Sequence, residues 1–454
     1  MTSTRSRHVA VENANSGTPW LPGLFVVLLL VLPTVVVLPG PLVSNGSPAK
    51  MLAYAMAALV FLTFFRGRVV MTSAGYLHTG IAFLAVYAFC KIVTLARTYQ
   101  DPLGPVAQAT VTRTVLTTVA GVGVAAYLMT RMNDTRARNF VLGMLLVGAT
   151  YAAIIGILQG ISDADYKYLL QPPGFVLKVE KGLATRDGFT RVVGTSDHPI
   201  EFSVIVAATI PIAAHFLRLG STRNVRIYSG IAFAALLLAV PASVSRTAIV
   251  AVIASAVVYI FALTVREILT LITLLGTIVL VYYLIAPELF GAIVKLFVGA
   301  SEDDSITSRT DDYAYVSVLF RQNPVLGSGF ASIDPTQTRY LDNTWLGTLI
   351  SGGLVGVAGL AVLVVGGVIA ATMALRNVRT TAERDLVFAL SGSYAALVVS
   401  TTVFDMFAFQ QAMFMLFVVF GVLWSLAYRG RSAGDGERSH RELRRARRNV
   451  ESAP

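Results

Sequence analysis

Arg246 is the ionisable residue whose surroundings most clearly suit a chemical role. It lies in the sequence PASVSRTAIVAV, at the start of an apolar run, with Ser243, Ser245 and Thr247 beside it. A guanidinium group among hydroxyl donors is suited to binding an oxyanion, because it combines a permanent positive charge with several N–H donors. The same position also suits a side chain that only extends towards the water interface of a membrane, and both interpretations stay open.

Three further residues are of types that exchange protons. His198 and Glu201 occur together in SDHPIEF, and Asp342 precedes a glycine-rich apolar run in RYLDNTWLGTLISGGLVG. An imidazole or a carboxylate can remove the proton from an attacking hydroxyl, but all three residues also suit capping of a helix N-terminus. Lys91 and Arg113 lie in apolar runs as well, and we expect them either to reach the interface or to extend a positive field.

Long apolar segments must position these residues. About 20 apolar residues cross the hydrocarbon core of a bilayer as a helix, and twelve runs in this chain approach that length. The sequence therefore predicts an all-α, polytopic membrane protein with about 12 transmembrane helices and two long extracytoplasmic loops. The predicted spans lie near residues 21–40, 51–65, 74–95, 111–130, 139–160, 200–217, 226–242, 246–264, 267–286, 344–374, 385–404 and 408–427.

The composition of the whole chain excludes a soluble enzyme. Its 454 residues are 55% hydrophobic and only 13% charged, whereas soluble proteins are roughly a quarter charged. The mean hydropathy is +0.69, so there are too few polar residues to cover a globular surface. The single cysteine, Cys90, also excludes a disulfide framework and a cysteine zinc site.

The basic residues predict the orientation of the helices, because Lys and Arg are concentrated in cytoplasmic loops. With a cytoplasmic N-terminus, twelve basic residues fall in short inner loops and three, Lys50, Arg97 and Arg246, fall in short outer loops. We therefore expect a multi-pass protein of the cell inner (cytoplasmic) membrane with both termini in the cytoplasm. The net charge of +11 then marks topology rather than nucleic-acid binding. The predicted domains are an N-terminal tail at 1–19, a transmembrane domain at 20–428 and a basic tail at 429–454.

Two predicted outer loops, 161–199 and 287–343, are much longer than the other connections. Loops longer than about 15 residues are usually functional or disordered, and these two retain aromatic and aliphatic residues, so we expect them to be ordered. In the second loop, a helix is predicted from Arg309 to about Asn323, ended by Pro324. Its apolar face would consist of Tyr313, Val316, Leu319 and Phe320.

Several short motifs follow one another on the predicted outer side. R-x-x-G-T-x-x-H-P starts at Arg191 and leads into a span, and S-R-T surrounds Arg246 after a tight turn. N-P-V-L-G-S-G-F starts at Asn323, and D-N-T-W-L starts at Asp342 before a glycine-rich span. This ordered set resembles the O-antigen ligase / O-antigen polymerase family of polytopic membrane glycosyltransferases. The resemblance is detailed over about residues 190–375 and extends to the whole chain in the layout of spans.

The resemblance implies a metal-independent, inverting transfer of a glycan from a polyprenyl-diphosphate-linked donor to an acceptor hydroxyl, at the outer face of the cytoplasmic membrane. Such an enzyme would act in surface polysaccharide biosynthesis without a cofactor. Its partners would be the lipid-linked saccharide donor, a glycan or lipid acceptor and membrane lipids, with no nucleic acid. The resemblance also implies that Arg246 and Arg309 bind the donor diphosphate, with Arg191 as a third contact.

The sequence departs from the ligase branch at one informative position. That branch usually has a His-Asn pair where this chain has Asp342-Asn343, and an aspartate there resembles the polymerase-like or exopolysaccharide members. The acceptor hydroxyl must lose a proton as it attacks, so a carboxylate or imidazole has to lie within hydrogen-bonding distance. Asp342 is the first candidate for this base, followed by His198 and Glu201.

Three other function classes stay open on the sequence alone. A transporter or lipid flippase would place ionisable residues in the middle of the bilayer, whereas the spans at 51–65, 246–264 and 408–427 have no charged residue in their interior. A peptidoglycan-polymerising enzyme of the shape and division type would have a dominant outer-loop aspartate in a different motif. A membrane scaffold would tolerate the loss of every outer arginine.

Overall fold

The computed structural model describes most of the chain. The two predicted tails, 1–19 and 429–454, lie outside the described residues apart from Pro19. The described residues are 19–40, 43–65, 79–98, 105–132, 134–178, 182–186, 188–285, 287–288, 290–291, 294, 304–330 and 341–428.

The described part of the chain is almost entirely α-helical, as the long apolar runs predict. The helices are α1 (Trp20–Val31), α2 (Pro48–Phe65), α3 (Thr79–Thr98), α4 (Pro105–Arg131), α5 (Thr135–Ser162), α6 (Pro199–Leu219), α7 (Arg223–Ala242), α8 (Arg246–Tyr259), α9 (Val265–Ile285), α10 (Asp304–Gln322), α11 (Thr344–Asn377), α12 (Thr381–Ser400) and α13 (Gln410–Tyr428). The strands are β1 (Val36–Val37), β2 (Val176–Leu177), β3 (Thr185–Arg186) and β4 (Phe189–Thr190).

Nine of the described helices, α2 to α7, α9, α11 and α13, are long and apolar enough to cross a membrane. α1 and α8 are shorter apolar helices, and the first turn of α12 carries Glu383, Arg384 and Asp385, which lower its hydropathy. Each of the twelve predicted spans overlaps one of these helices. The first, predicted at 21–40, was too long: its helix ends at Val31, just before Pro33, and residues 36–37 form β1 instead. The prediction of an all-α, polytopic membrane protein is therefore confirmed.

α13 lies at the centre of the helix bundle. Over the stretch of α13 that is long enough to cross a membrane, 94% of the residues are buried. None of the residues of α9 is buried. Gly421 of α13 approaches α4 so closely that a Cβ atom there would lie 2.7 Å from the backbone oxygen of Ala125. A helix that is apolar on all sides is expected at the centre of a bundle. α13 is therefore the central helix, around which the other helices pack.

Connections between helices meet around the start of α13, at an end of the bundle that we call the loop end. β1 pairs antiparallel with β2, which joins the α1–α2 connection to the α5–α6 connection. The Thr34 amide donates a hydrogen bond to the Thr195 carbonyl oxygen (3.1 Å), and the Ser47 hydroxyl donates to Gln410 Oε1 (2.8 Å). These bonds order the described part of the predicted loop 161–199. The loop end comprises the described residues of segments 32–47, 163–198 and 401–409.

The helix predicted in the second long loop is present as α10. It begins at Asp304 rather than at Arg309 and ends at Gln322, close to the end predicted from Pro324. The predicted apolar face is only partly correct, since Val316 is buried but Tyr313 is 60% exposed. α10 packs against α11, which brings the residues that follow it to the loop end.

The opposite end of the bundle contains a buried charged cluster. The carboxylate of Asp385, on α12, accepts hydrogen bonds from the His215 ring (2.7 Å), the Tyr259 hydroxyl (3.1 Å) and the Arg218 guanidinium. Arg218 also donates two hydrogen bonds to Glu267, at 2.7 and 2.9 Å. Buried charges are tolerated when they are paired in this way. The cluster therefore joins α6, α8, α9 and α12.

We predict that Asp385→Ala destabilises the bundle by about 3–5 kcal/mol, because the substitution leaves buried donors without their charged acceptor. The midpoint of SDS-induced unfolding of the purified protein in mixed micelles measures the effect. Arg223→Ala is the matched control, since it removes an exposed charge from α7 near the same end. Equal midpoints for the two variants would contradict a stabilising role for the cluster.

Candidate functional site

α11 is interrupted within its glycine-rich stretch. Gly353 has φ 56° and ψ −152°, far from helical values, so α11 consists of two helical pieces. Such a break leaves backbone N–H and C=O groups without intrahelical partners. In a membrane these groups must be bonded to other protein groups or to water in a cavity. The break therefore requires a second segment of chain beside it.

The segment after α10, which contains the motif NPVLGSGF, supplies those partners. The amides of Ser328 and Gly329 donate to backbone oxygens of α11 just before the break, both at 2.8 Å. The amides of Leu354 and Val355, just after the break, donate to carbonyl oxygens of the segment at 2.9 and 3.1 Å. The motif thus completes the hydrogen bonding of the broken helix.

Gly327 and Gly353 permit this contact because neither has a side chain. Gly327 has φ +68°, and a Cβ atom there would lie 2.5 Å from the Gly353 amide nitrogen. A Cβ atom on Gly353 would lie 2.6 Å from the backbone of Val325. Both residues have a positive φ, which favours glycine. The two backbones therefore touch directly, and the glycines in two separate motifs have one common structural cause.

The start of α11 and the turn 401–409 form one hydrogen-bonded unit. The Thr344 hydroxyl donates to the Phe404 carbonyl oxygen (3.0 Å) and accepts from the Met406 amide (2.9 Å). The Thr344 amide donates to the Thr401 carbonyl oxygen at 3.0 Å. This unit fixes the positions of the residues just before α11 relative to those in the turn.

Asn343, rather than Asp342, caps α11. Its Oδ1 atom accepts hydrogen bonds from the amides of Trp345 (2.9 Å) and Leu346 (3.2 Å), and its Nδ2 donates to the Thr402 carbonyl oxygen (2.9 Å). The Asp342 side chain is exposed, and among the described residues its carboxylate has no hydrogen-bond or ion-pair partner. The capping role considered for Asp342 therefore belongs to its neighbour, and the Asp342 carboxylate is accessible to a substrate.

A cavity of about 220 Å³ opens beside this unit. It lies between α3, α4, α10, α11 and the turn 401–409, and its charged lining residues are Lys91, Arg113 and Asp405. Leu341 and Thr344 also line it, so Asp342 lies at its edge. The aromatic lining residues are Tyr87, Tyr315, Phe330, Phe407 and, on α13, Phe417.

The charges in the cavity are held by different contacts. The Lys91 ammonium lies 5.8, 5.5 and 5.8 Å from the ring centroids of Tyr87, Phe330 and Phe407, where it is attracted to the ring faces. Arg113 donates from Nη2 to the carbonyl oxygen of Ala408, in the turn, at 2.7 Å.

The Asp405 carboxyl, in the same turn, has an altered proton affinity. Burial raises its pKa to about 6, because the charged form is poorly solvated. The charges of Lys91 and Arg113 act in the opposite direction, and the nearby Asp342 carboxylate raises the pKa further. The charge of the cavity therefore changes in the mildly acidic range.

His198 caps α6. Its Nδ1 atom accepts a hydrogen bond from the Ile200 amide at 3.2 Å, and its ring lies 5.6 Å from the ring of Phe409. His198 is therefore at the loop end, next to the turn 401–409. Its tautomer in this arrangement has Nδ1 as the acceptor, which leaves Nε2 as the N–H donor of a neutral ring.

Glu201 is fully buried, and its carboxylate binds backbone amides at the start of α13. It accepts hydrogen bonds from the amides of Asp197 (3.0 Å), Gln411 (2.6 Å) and Ala412 (3.4 Å). A carboxylate at a helix N-terminus is stabilised by the free N–H groups and the helix dipole. These contacts favour a structural role for Glu201, which positions the central helix.

The predicted arginines are distributed over three elements. Arg246 begins α8, and since Tyr259 at the other end of α8 contacts Asp385, Arg246 lies at the loop end. Arg191 belongs to the segment before α6, where its amide bonds the Ala184 carbonyl oxygen at 2.8 Å. Arg309 is part of α10, but its side chain lies outside the described residues. The structure thus brings Arg191 and Arg246 to the end that carries His198 and Asp342.

The sequence places Asp405 in the last outer turn without an obvious partner, and it does not predict the cavity. The available signal was weak, since Asp405 is one carboxylate in the apolar turn VFDMFAF. The sequence predicts that Lys91 and Arg113 either reach the interface or extend a positive field. That both line one cavity depends on how α3 and α4 pack. Within the described ranges, no group of three His, Cys, Asp or Glu side chains could hold a metal ion. The groups that do meet can bind an anion and accept a proton.

Residues 231–361 match the family model for O-antigen ligase. This match confirms the resemblance over these residues, whereas the motif that starts at Arg191 precedes them. The O-antigen ligase segment contains Arg246, Arg309, Asp342 and the break at Gly353, whereas Lys91, Arg113 and Asp405 lie outside it. No curated protein matches the chain. Together with the apolar helices, the O-antigen ligase match supports a multi-pass membrane enzyme that ligates or polymerises glycans.

We predict that Gly327→Ala and Gly353→Ala each disrupt the broken helix. An alanine at positive φ costs about 1–2 kcal/mol, and its Cβ would in addition overlap the facing backbone. Both variants should have a lower SDS-unfolding midpoint than the unchanged protein. Gly143→Ala on α5 is the control, because a Cβ atom there meets nothing within 4 Å. An unchanged midpoint in both test variants would contradict the proposed packing.

Proposed function

We propose that the protein transfers or polymerises a glycan from a polyprenyl-diphosphate-linked donor onto an acceptor hydroxyl, at the outer face of the cytoplasmic membrane. One observation carries this proposal. The segment that matches the O-antigen ligase family holds an accessible carboxylate, Asp342, on a hydrogen-bonded unit at the same end of the bundle as Arg246. An anion-binding guanidinium and a proton acceptor at one end of a membrane protein suit displacement of a diphosphate.

In the proposed reaction, the acceptor oxygen forms a bond to the anomeric carbon of the donor sugar. The bond from that carbon to the diphosphate oxygen breaks, and its electron pair leaves with the lipid diphosphate. The proton of the acceptor hydroxyl moves to a base, for which Asp342 is the first candidate; His198 is the second, and it could act only by giving up the hydrogen bond that its Nδ1 accepts from the Ile200 amide. A single displacement of this kind inverts the anomeric configuration.

The proposed role of the arginines follows from the charge of the leaving group. A departing diphosphate gains negative charge, and a guanidinium neutralises it through charge-assisted, bidentate hydrogen bonds. Fixed donors of this kind typically contribute 10²–10³-fold to the rate at oxyanion sites. In the proposal, Arg246 and Arg309 bind the diphosphate and Arg191 is the third contact. No metal ion or cofactor takes part.

The proposed orientation rests on the distribution of basic residues. Short connections at the end opposite the loop end hold most of them, for example Arg223, Arg226 and Arg266, and such residues mark the cytoplasmic side. The loop end then faces outwards, and both termini are cytoplasmic. The lipid tail of the donor would remain in the bilayer, which explains why such an enzyme is membrane-embedded.

We predict that Arg246→Ala, Arg309→Ala and Asp342→Asn each fail to restore surface polysaccharide in a deletion strain. Loss of a diphosphate contact or of the base should lower transfer by about 10²-fold or more. Gel analysis of extracted polysaccharide measures the effect, and immunoblotting of membranes confirms insertion. Arg223→Ala, an arginine at the opposite end, should restore the polysaccharide fully. Full restoration by all three test variants would refute these assignments.

A proteoliposome assay separates transfer from transport. With a radiolabelled lipid-linked oligosaccharide as donor, the proposed enzyme should form a larger saccharide and release lipid diphosphate. Movement of the donor across the bilayer without any larger product would instead indicate a flippase.

The orientation makes a separate prediction, tested by cysteine labelling in a Cys90→Ala background. Leu169→Cys lies in the long loop at a position that is 81% exposed, and Ser221→Cys lies in the exposed connection between α6 and α7. A membrane-impermeant maleimide should label the first variant in spheroplasts and the second only after permeabilisation. The reverse pattern would place the loop end in the cytoplasm.

A further inference from the structure

The cavity at the loop end carries positive charges that the proposed reaction does not use. The diphosphate contacts are placed on α8, on α10 and in the segment before α6, whereas Lys91 belongs to α3 and Arg113 to α4. Both residues line the cavity, and both lie outside the segment that matches the O-antigen ligase family. They therefore form a second cationic group, which lines a cavity of its own.

Neither cation forms an ion pair with a carboxylate of the described residues. In the described part of the chain, no Asp or Glu oxygen lies within the 4.0 Å of an ion pair from Lys91 or Arg113. Asp405 is the only described carboxylate that lines the cavity. At neutral pH Asp405 is ionised and offsets one of the two lining cations, so the lining keeps an excess of one positive charge.

The rest of the lining suits a sugar ring. Tyr315 and Phe330 offer aromatic faces, and the α4 residues Thr114 and Thr117 offer hydroxyl oxygens. The Thr114 and Thr117 hydroxyls donate to carbonyl oxygens one helical turn earlier, at 2.9 and 2.8 Å. Their oxygen lone pairs can therefore still accept hydrogen bonds from a ligand. Few polar groups among apolar and aromatic side chains are typical of small-molecule sites.

The position of the cavity favours the acceptor over the donor. Asp342, the proposed base, directly follows the lining residue Leu341, and its charge acts on the lining residue Asp405. The volume of about 220 Å³ is below the roughly 300–1,000 Å³ of sites for drug-sized ligands, so it admits one terminal unit of a chain. A unit held there would have its hydroxyl near the base.

We propose that this cavity is the acceptor site and that it selects a terminal sugar unit that bears a negative charge, held by Lys91 and Arg113. The proposal rests on the proposed function, because it assigns the second substrate of that reaction. The charged group is a carboxylate, as in a uronic acid, or a phosphate ester. A neutral sugar of the same shape would leave the excess positive charge of the lining without a counter-charge.

Binding of model sugars to the purified full-length protein in nanodiscs tests the proposal. The probes are methyl β-D-glucuronide, glucose 6-phosphate and the neutral methyl β-D-glucoside, each titrated by saturation-transfer NMR. We expect one of the charged probes to bind about tenfold or more tightly than the glucoside, and the tighter of the two identifies the charged group. Equal binding of all three probes would overturn the proposal.

Substitutions locate the binding. Lys91→Gln and Arg113→Gln should each remove the preference for the charged probe, whereas Lys91→Arg should retain it. Arg246→Gln should leave it unchanged, because that residue is assigned to the donor. SDS-unfolding midpoints identify any variant that misfolds. If a Gln variant misfolds, the Lys91→Arg variant is the test, and loss of the preference in that variant would overturn the proposal. Retention of the preference in both Gln variants would overturn the proposal.

Inorganic pyrophosphate distinguishes the two substrates. It should bind wild-type protein and lose affinity in Arg246→Gln, but not in Lys91→Gln. The opposite result would assign the cavity to the donor diphosphate and overturn the acceptor site. These titrations contain no donor and need no transfer, so their outcome is separate from the complementation result that tests the function itself.

The charge of Asp405 predicts how binding depends on pH. Burial raises the pKa of Asp405 to about 6, and the charges facing it are Lys91, Arg113 and Asp342, together with the tyrosines of the lining. Lowering the pH from 7.5 to 5 protonates Asp405, removes a competing negative charge and should tighten binding of the glucuronide, which stays ionised. Asp405→Asn should bind more tightly than the wild type at pH 7.5 and show a smaller dependence on pH. Weaker binding at pH 5 in the wild type would contradict the assignment.

Discussion

The requirement that backbone polar groups be satisfied inside a membrane determines the arrangement of the loop end. α11 is broken at Gly353, and the segment containing NPVLGSGF forms the hydrogen bonds that the break leaves open. The contact is possible only because Gly327 and Gly353 bring two backbones together without side chains. The first half of α11 is thereby fixed, and with it the cap at Asn343 and the neighbouring carboxylate of Asp342. The cavity wall formed by Phe330 depends on the same contact, since the Phe330 amide binds the Thr98 hydroxyl at 2.8 Å.

The central helix extends this constraint to the other side of the site. Glu201 and the Gln411 side chain are buried at the start of α13. Glu201 accepts a hydrogen bond from the Gln411 amide, and Gln411 Nε2 donates one to the Leu29 carbonyl oxygen at 2.8 Å. The turn 401–409 is therefore held between α11 and α13. Asp405 and the acceptor of Arg113 both lie on this turn. Residues that do no chemistry in the proposed reaction thus decide where the reactive groups are.

Charged side chains are paired with one another at one end of the bundle and line a cavity at the other. This difference supports the functional interpretation. At the end opposite the loop end, Asp385 is bound by His215, Arg218 and Tyr259, so the charges stabilise the fold. At the loop end, Lys91 faces aromatic rings rather than a carboxylate. Paired buried charges are a structural solution, whereas unbalanced charge beside a cavity is suited to a charged ligand.

The sequence by itself determined the membrane class, the helices and the order of the motifs, because apolar length and Gly or Pro positions act locally along the chain. It also identified Asp342 and Arg246 as candidates, since both stand out against apolar surroundings. It could not distinguish a cap from a free carboxylate at Asp342-Asn343, because that choice depends on contacts with Thr402, some 60 residues away. The helix break, the role of Glu201 and the cavity of Lys91, Arg113 and Asp405 were decided only by tertiary structure. Each of these features joins segments distant in sequence, and no local pattern encodes how such segments pack.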